Sequence, residues 1–389
     1  MKIIEASVYT CAQPLKIPFR HASSGLVTNL DGVYVKLTAE DGTYGFGEVR
    51  GNCSYFTGDT TGAVVSTICT AIAPKLVGLE AENLNRIHQV IENSVVANTA
   101  AKDACDCAAY DLAGKLAGKP VYELLGGKLN DTLPSEENIP FMSVEEAKNR
   151  AAEILDSGCR FVKVRVGADD FGYDKSRVKA VWEVICDRGL EGEVVYSVDA
   201  NQAWTARDAI RNINRLVDYG VSIVEQPVKY NSPIRLKELK DNCPVKLFGD
   251  ECVATVEDFA RYIEMGAIDG IHIKLIKCGG ISNAVKLMTL ATVSYTHLDV
   301  YKRQNQKAVM DIIYKGVKAG NLSIDVSGFE KAMDELFGEG AEVLVLGCTE
   351  LPVAFELFHF DKPNIDPTMV LAAAAVRFVG AKVKEEVGY

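Results

Sequence analysis

The sequence predicts an α/β fold: a small N-terminal α+β capping domain, then an incomplete (β/α)8 TIM-type barrel of about six βα units, then a C-terminal α/β fragment of different character. Three observations predict it. Short apolar strands alternate with amphipathic helices from about residue 131 onward, and repeated βα units imply parallel strands. A polar residue closes each strand, Lys163 with Arg165, then Asp199, Glu225, Asp250 and Lys274, at steps of 36, 26, 25 and 24 residues. The pattern then stops at "SYTHLDVYKRQ", Ser294 to Gln304, which continues neither of the apolar runs beside it.

Residues 1–130 read as strands followed by helices. "GVYVKLTAEDGTYGFGEV" alternates around the turn Glu40-Asp41-Gly42, the mark of a β-hairpin. Helical stretches follow near 61–77, 82–95 and 99–117, and the lobe ends in the glycine-rich "LLGGKL". Residues 131–293 carry the barrel pattern. Its strands are "FVKVRVG", "VVYSVDAN", "VSIVEQP", "VKLFGDE" and "DGIHIKLIKCGG". The helices between them open with capping pairs: Ser143 with Glu146, Thr205 with Asp208, Thr255 with Asp258. A closed barrel needs eight strands and at least about 200 residues. Leu133 to Val293 supplies 161 residues and six units, so two strands are missing.

Composition excludes several classes. The 389 residues are 48% hydrophobic and 24% charged, a soluble globular balance that suggests two or three domains. A net charge of −11 argues against nucleic acid or anionic lipid as a partner. No apolar run reaches the roughly 18 residues that span a bilayer. The start "MKIIEASVYT" reads as a strand, without the basic and apolar regions of a signal peptide. The eleven cysteines include no zinc-type pairs, since "CDC" at Cys105 and Cys107 has the wrong spacing. A reducing cytoplasm is the expected compartment.

In a βα barrel the C-terminal strand ends converge on one site. Asp199, Glu225 and Asp250 would meet there, and three neighbouring carboxylates stay ionised together only beside a cation. Oxygen-only ligands select a hard ion, and Mg²⁺ fits. Each acid taken singly is equally a helix N-cap, and for Lys274 taken singly an ion pair with Glu225 or Asp250 is the less favoured reading. Lys163 and Arg165, two apart, point to one face of their strand. A lysine with a lowered pKa next to a metal-held carboxylate is the apparatus for removing an α-proton.

These motifs resemble the enolase superfamily, in its muconate-lactonizing-enzyme and mandelate-racemase branch, over residues 1–293. "SVDANQAWTARDAIRNINRLVDYGVSIVEQP" holds D-x-N and E-Q-P at the family's separation, "GDE" follows, and "IKLIKCGG" matches the sixth-strand lysine with paired glycines. "DLAGKLAGKPVYELLGG" matches the end of the family's capping domain. The resemblance implies Mg²⁺ on Asp199, Glu225 and Asp250, a small carboxylate substrate, Lys274 as base, and a homo-oligomeric parent. It implies an ene-diolate mechanism and a specificity loop on "IPFRHASSG", with Arg20 and His21 as substrate contacts, although both equally suit a solvated loop. The family's second-strand lysine pair falls on Lys163 and Arg165. The second position is usually a base, and a guanidinium cannot serve as one. Either Lys163 supplies the second base of a racemase or epimerase, or Lys274 works alone in a lyase such as an acid-sugar or hydroxy-acid dehydratase. The isomerase is the favoured expectation.

Residues 305–389 resemble the C-terminal part of the aspartate/glutamate racemase family. "GCTEL" matches its second catalytic cysteine on Cys348, beside Thr349 and Glu350, and "IDPT" matches its last helix. That family exchanges the α-proton between two cysteines without metal or cofactor. Its first cysteine half is absent, so Cys348 also reads as a buried strand-end thiol. Residues 294–304 resemble adaptor DNA read as coding sequence, so they are expected to be an artificial junction, and His297 to have no role in chemistry. A non-functional chimera, and a cofactor-independent amino-acid racemase acting through Cys348, therefore stand beside the metal-dependent enzyme.

Overall fold

The computed structural model describes residues 1–21, 25–54, 57–128, 130–300, 308–338, 341–346, 350–367 and 369; at 16–21, 25, 26 and 293–300 it describes the backbone alone. Two compact units emerge, Met1–Ala291 and Thr292–Tyr389.

The first unit opens with an antiparallel sheet in the order β1 (Ile3–His21), β2 (Gly25–Ala39), β3 (Tyr44–Arg50). The expected hairpin joins β2 to β3. Gly42 sits at φ +83° and its amide donates to the Ala39 carbonyl at 3.0 Å, a turn that requires a residue without Cβ strain. Burial alternates along β3, and the inward positions are Gly45, Gly47 and Val49. Two glycines face inward because the Thr99–Ala117 helix lies almost against the strand. A Cβ on Gly47 would stand 1.9 Å from the Ala104 carbonyl oxygen. That helix answers with small residues, Ala100, Ala101, Ala104, Cys105, Ala108 and Ala109, all buried. Val33, Val35, Leu37, Ile68, Ile72, Leu76, Ile87 and Ile91 complete this core.

The second layer is a parallel sheet of six strands in sequential order: β4 (Glu136–Ile139), β5 (Phe161–Arg165), β6 (Val195–Asp199), β7 (Ile223–Glu225), β8 (Lys246–Gly249) and β9 (Gly270–Ile271). Among the described residues β4 and β9 are its edges. The anticipated caps form. Ser143 and Glu146 bond reciprocally ahead of Val144–Asp156, and Thr255 and Asp258 do so ahead of Val256–Glu264. Thr205 accepts from the Asp208 amide ahead of Ala206–Leu216.

Two local expectations change. Lys274 does not close a strand: β9 ends at Ile271, and Lys274 is the N-cap of the one-turn helix Leu275–Cys278. Among the described residues β9 pairs with β8 alone, over two positions, Phe248 with Gly270 and Gly249 with Ile271. The backbone also does not break at Ser294. One helix runs Ile281–Val300, seven residues into the odd segment, because an i→i−4 ladder is local and does not require an apolar period. Tyr301–Gln304 lie outside the described residues.

In the second unit Leu344–Val345 pairs in parallel with Asn364–Ile365. Ile312, Ile313, Phe329, Met333, Leu346, Ala354 and Phe355 form its core. Phe329 and Phe360 rings pack at 5.2 Å and Phe355 and Phe360 at 5.4 Å. Cys348 and Thr349 lie outside the described residues, while Glu350 opens the helix Glu350–Leu357.

Candidate active site

Register brings the strand ends together. Arg165 on β5 pairs with Asp199 on β6, and Asp199 pairs with Glu225 on β7. Asp250 follows β8 directly. All three acids are buried, at 2% exposure or less. The backbone around them is unusual: Asn201, Gln202 and Gln226 have φ of +41°, +67° and +32°. Non-glycine residues hold such angles only where their surroundings over-determine them. The Gln202 amide donates to the Gln226 carbonyl at 2.8 Å, which ties the loop after β6 to the loop after β7. The Gln226 side chain accepts from the Asp250 and Cys252 amides at 2.9 and 3.2 Å, which ties β7 to the segment after β8.

Four cations face these acids. Lys163 Nζ lies 2.5 Å from Glu136 on β4 and 2.6 Å from Glu225. Burial pulls the Lys163 pKa down, but Glu225 and Glu136 outweigh it, so it stands above the usual lysine value. Arg165 approaches Asp199 at 3.4 Å and bonds Asn201 Oδ1. Lys274 pairs with Asp250 Oδ2, and the buried Lys277 with Asp250 Oδ1 at 2.5 Å. Burial lowers the Lys274 pKa and Asp250 raises it further, for a net rise. Asp250 itself is raised by burial, yet Lys277 and Lys274 bring it down to about 2. Asp199 is pushed up to about 7, by burial first and by Glu225 next. His272 Nε2 sits 3.2 Å from Glu225, and burial lowers its pKa.

Of the residues singled out in the sequence, Lys163, Arg165, Asp199, Glu225, Asp250 and Lys274 lie in this network. The alternative reading of Lys274, as an ion-pair partner of Asp250, is what the structure contains. No three His, Cys, Asp or Glu side chains among the described residues close into a ready metal cluster, because Asp250 turns to Lys274 and Lys277 while Asp199 and Glu225 meet Arg165 and Lys163. Arg20 and His21 lie at the end of β1, opposite Leu26 and Gly25, and their side chains are outside the described residues. Sequence reading missed Glu136, Gln226, His272 and Lys277. Lys277 had a signal, being the second lysine of "IKLIK"; Glu136 had none. A cleft of about 620 Å³ opens beside the network, lined by Gln202, Tyr230, Glu251, Tyr262 and, from the capping lobe, Ser54 and Thr57. None of the three acids lines it, so the acids and not the cleft define the site.

A capping lobe over parallel strands that end in acids and lysines defines an enolase-type enzyme. Residues 3–126 match the mandelate racemase / muconate lactonizing enzyme N-terminal domain, and residues 146–299 match the enolase C-terminal domain-like family. The L-Ala-D/L-Glu epimerase of Clostridium acetobutylicum is 37% identical over 282 residues, 72% of this chain and 76% of that protein. The chain therefore belongs to the mandelate racemase/muconate lactonizing enzyme branch of the enolase superfamily, and the relatives it matches are isomerases. Among solved structures, the substrate-liganded L-Ala-D/L-Glu epimerase from Bacillus subtilis superimposes with a TM-score of 0.70 at 31% identity, over 76% of this chain and 80% of that one. The Enterococcus faecalis dipeptide epimerase, complexed with Mg and L-Leu-L-Tyr, matches with the same TM-score, identity and coverage. No helix among the described residues is long and apolar enough to cross a membrane.

Proposed function

We propose that residues 1–293 carry the machinery of a Mg²⁺-dependent racemase or epimerase that abstracts the proton α to a carboxylate, with a dipeptide or N-acylated amino acid as the substrate class. The observation that supports this best is the register of Asp199 with Glu225, next to Asp250, all three buried. Their donors are oxygen only, which suits a hard divalent ion. The rise of Asp199 to about 7, from burial and from Glu225, supports a pair that gains from added positive charge. The residues present thus fit Mg²⁺, and Asp199, Glu225 and Asp250 would hold it. When bound, it supplies charge for the substrate carboxylate and for the negative charge that develops as the α-proton leaves.

Lys274 is the proposed base. Its side chain is about half exposed (48%), so it reaches outward where Lys163 does not. Lys163 is clasped by Glu136 and Glu225, and its proposed role is the second base of the epimerase or, with its proton kept, a cation at the strand ends. Arg165 positions Asp199 and Asn201. With Lys163 confined to the cation role Lys274 is the one base, and that is the second reading, a one-base lyase such as a hydroxy-acid dehydratase. Turnover of L,L- and L,D-dipeptides in D₂O separates the two: epimerisation with α-deuterium incorporation supports the first reading, and elimination products support the second. Activity that survives both chelation and Lys274→Ala sinks the metal-dependent reading altogether.

We propose further that residues 294–304 are a junction, and that 305–389 are an aspartate/glutamate racemase-like fragment with Cys348 as its thiol. The family matches end by residue 299, and Thr292–Tyr389 forms its own unit. A single genomic molecule read through codons 285–315 as one natural open frame would overturn the junction. Chelator-resistant, thiol-reagent-sensitive racemisation of a free amino acid would instead assign activity to Cys348.

A further inference from the structure

The segment that carries Lys274 needs an anchor. Lys274 caps a helix of only four residues, and Gly279 and Gly280 follow at φ of +83° and +114°. Two such glycines have more backbone freedom to lose than any other pair. The Ile281–Val300 helix begins immediately after them.

The anchor comes from the capping lobe. Asp106, on the Thr99–Ala117 helix and 1% exposed, accepts from the Ser282 amide at 2.9 Å and from the Ser282 hydroxyl at 2.9 Å. It therefore caps the first turn of a helix 176 residues away in sequence. Gly280 makes this approach possible, since a Cβ there would lie 2.6 Å from Asp106 Cβ and Oδ2. A second pair lies alongside. Asn283 Nδ2 donates to Glu92 at 3.0 Å and to the Cys278 carbonyl at 2.8 Å, and Lys102 pairs with Glu92 at 3.0 Å. Lys286 Nζ lies 2.7 Å from His88 Nε2. An ammonium can only donate, so Nε2 accepts and Nδ1 carries the proton, facing Asp106 Oδ1 at 3.5 Å. Lys286 and Ser282 on the barrel helix thus bracket His88 and Asp106 on two capping helices, with a contact and not a hydrogen bond between His88 and Asp106. A carboxylate this deeply buried is tolerable because Ser282 donates to it twice and a helix N-terminus favours its charge.

We infer that Asp106 is a positioning residue, which acts from the capping domain to hold the Lys274–Ser282 segment and through it the proposed base. This rests on the reading of Lys274 as base, yet the clamp itself is testable without turnover. The full chain and its Asp106→Ala, Asp106→Asn and Ser282→Ala variants are compared by hydrogen–deuterium exchange with mass spectrometry, together with the rate of limited acetylation at Lys274. Asp106→Ala raises exchange across 275–284 about tenfold while β1–β3 keep their protection. Lys274, loosened from Asp250, acetylates faster. Asp106→Asn, which keeps an acceptor for Ser282, restores both readouts to near native. Ser282→Ala removes one contact and shows about a threefold rise, which decides the matter if Asp106→Ala fails to fold. Unchanged exchange in 275–284, a rise spread equally over the capping strands, or an Asn variant that behaves like Ala overturns the clamp. If the segment loosens as expected but turnover of an active preparation is untouched, the base assignment fails and the clamp stands.

Discussion

The capping lobe and the barrel lobe bury different things where strand meets helix. In the capping lobe the close approach is steric: Gly45 and Gly47 on β3 let the small-residue face of the Thr99–Ala117 helix touch the strand backbone. In the barrel lobe the strand interiors are apolar but their ends are charged, with Asp199, Glu225 and Asp250 facing Lys163, Arg165, Lys274 and Lys277. One lobe is held by shape, the other holds charge for use. The same capping helix serves both, since its opposite side carries Asp106 and Lys102 toward the barrel segment.

The contrast can be tested by disturbing each lobe in its own terms. The largest expected effect is Lys163→Met. It strips Glu225 and Glu136 of their ammonium, and breaking a buried pair from one side costs about 3–5 kcal/mol; denaturant unfolding without metal measures it. A loss below about 1 kcal/mol would mean that these charges are not held as tightly as their geometry requires. Gly47→Ala comes next, at about 3 kcal/mol by overpacking, because its Cβ would sit 1.9 Å from backbone. A neutral result by the same measurement would refute close approach as the organising feature of the capping lobe.

Asp103 gives the third test. Burial, only partly opposed by Cys107, pushes its carboxyl up to about 7. The unfolded chain releases that proton near 4, so the folded state holds it longer. The stability this group contributes is then full below about pH 4 and is lost as pH rises to about 7. Asp103→Asn should flatten that slope in pH-resolved unfolding, and an unchanged slope would assign it elsewhere. Smallest is Thr255→Ala, which removes an exposed cap whose hydroxyl accepts from Asp258 N at 3.0 Å. About 1 kcal/mol is expected, confined to the barrel lobe's exchange behaviour.

Much of this was legible in the chain. A fixed spacing of polar residues after apolar strands can be read because βα units repeat, and parallel register then places their ends side by side. The caps at Ser143, Thr205 and Thr255 were legible because capping is local. Glu136 and His272 were not, since their importance depends on which strand lies across the sheet. The inward glycines of β3 read only as a turn-rich hairpin, because nothing local announces a helix 60 residues later. The apolar period was read as failing at Ser294, but the backbone was not readable there: the helix continues to Val300.

The sequence by itself determined the order of lobes, the parallel sheet, the acids at its strand ends and the family to which they belong, because periodicity, spacing and caps are short-range signals. Only the tertiary structure decided that Lys163 is shut between two acids, that Lys277 holds Asp250, and that Asp106 reaches across to Ser282. Those facts depend on distance in space between residues far apart in the chain, and burial gives charge pairs at such distances their strength.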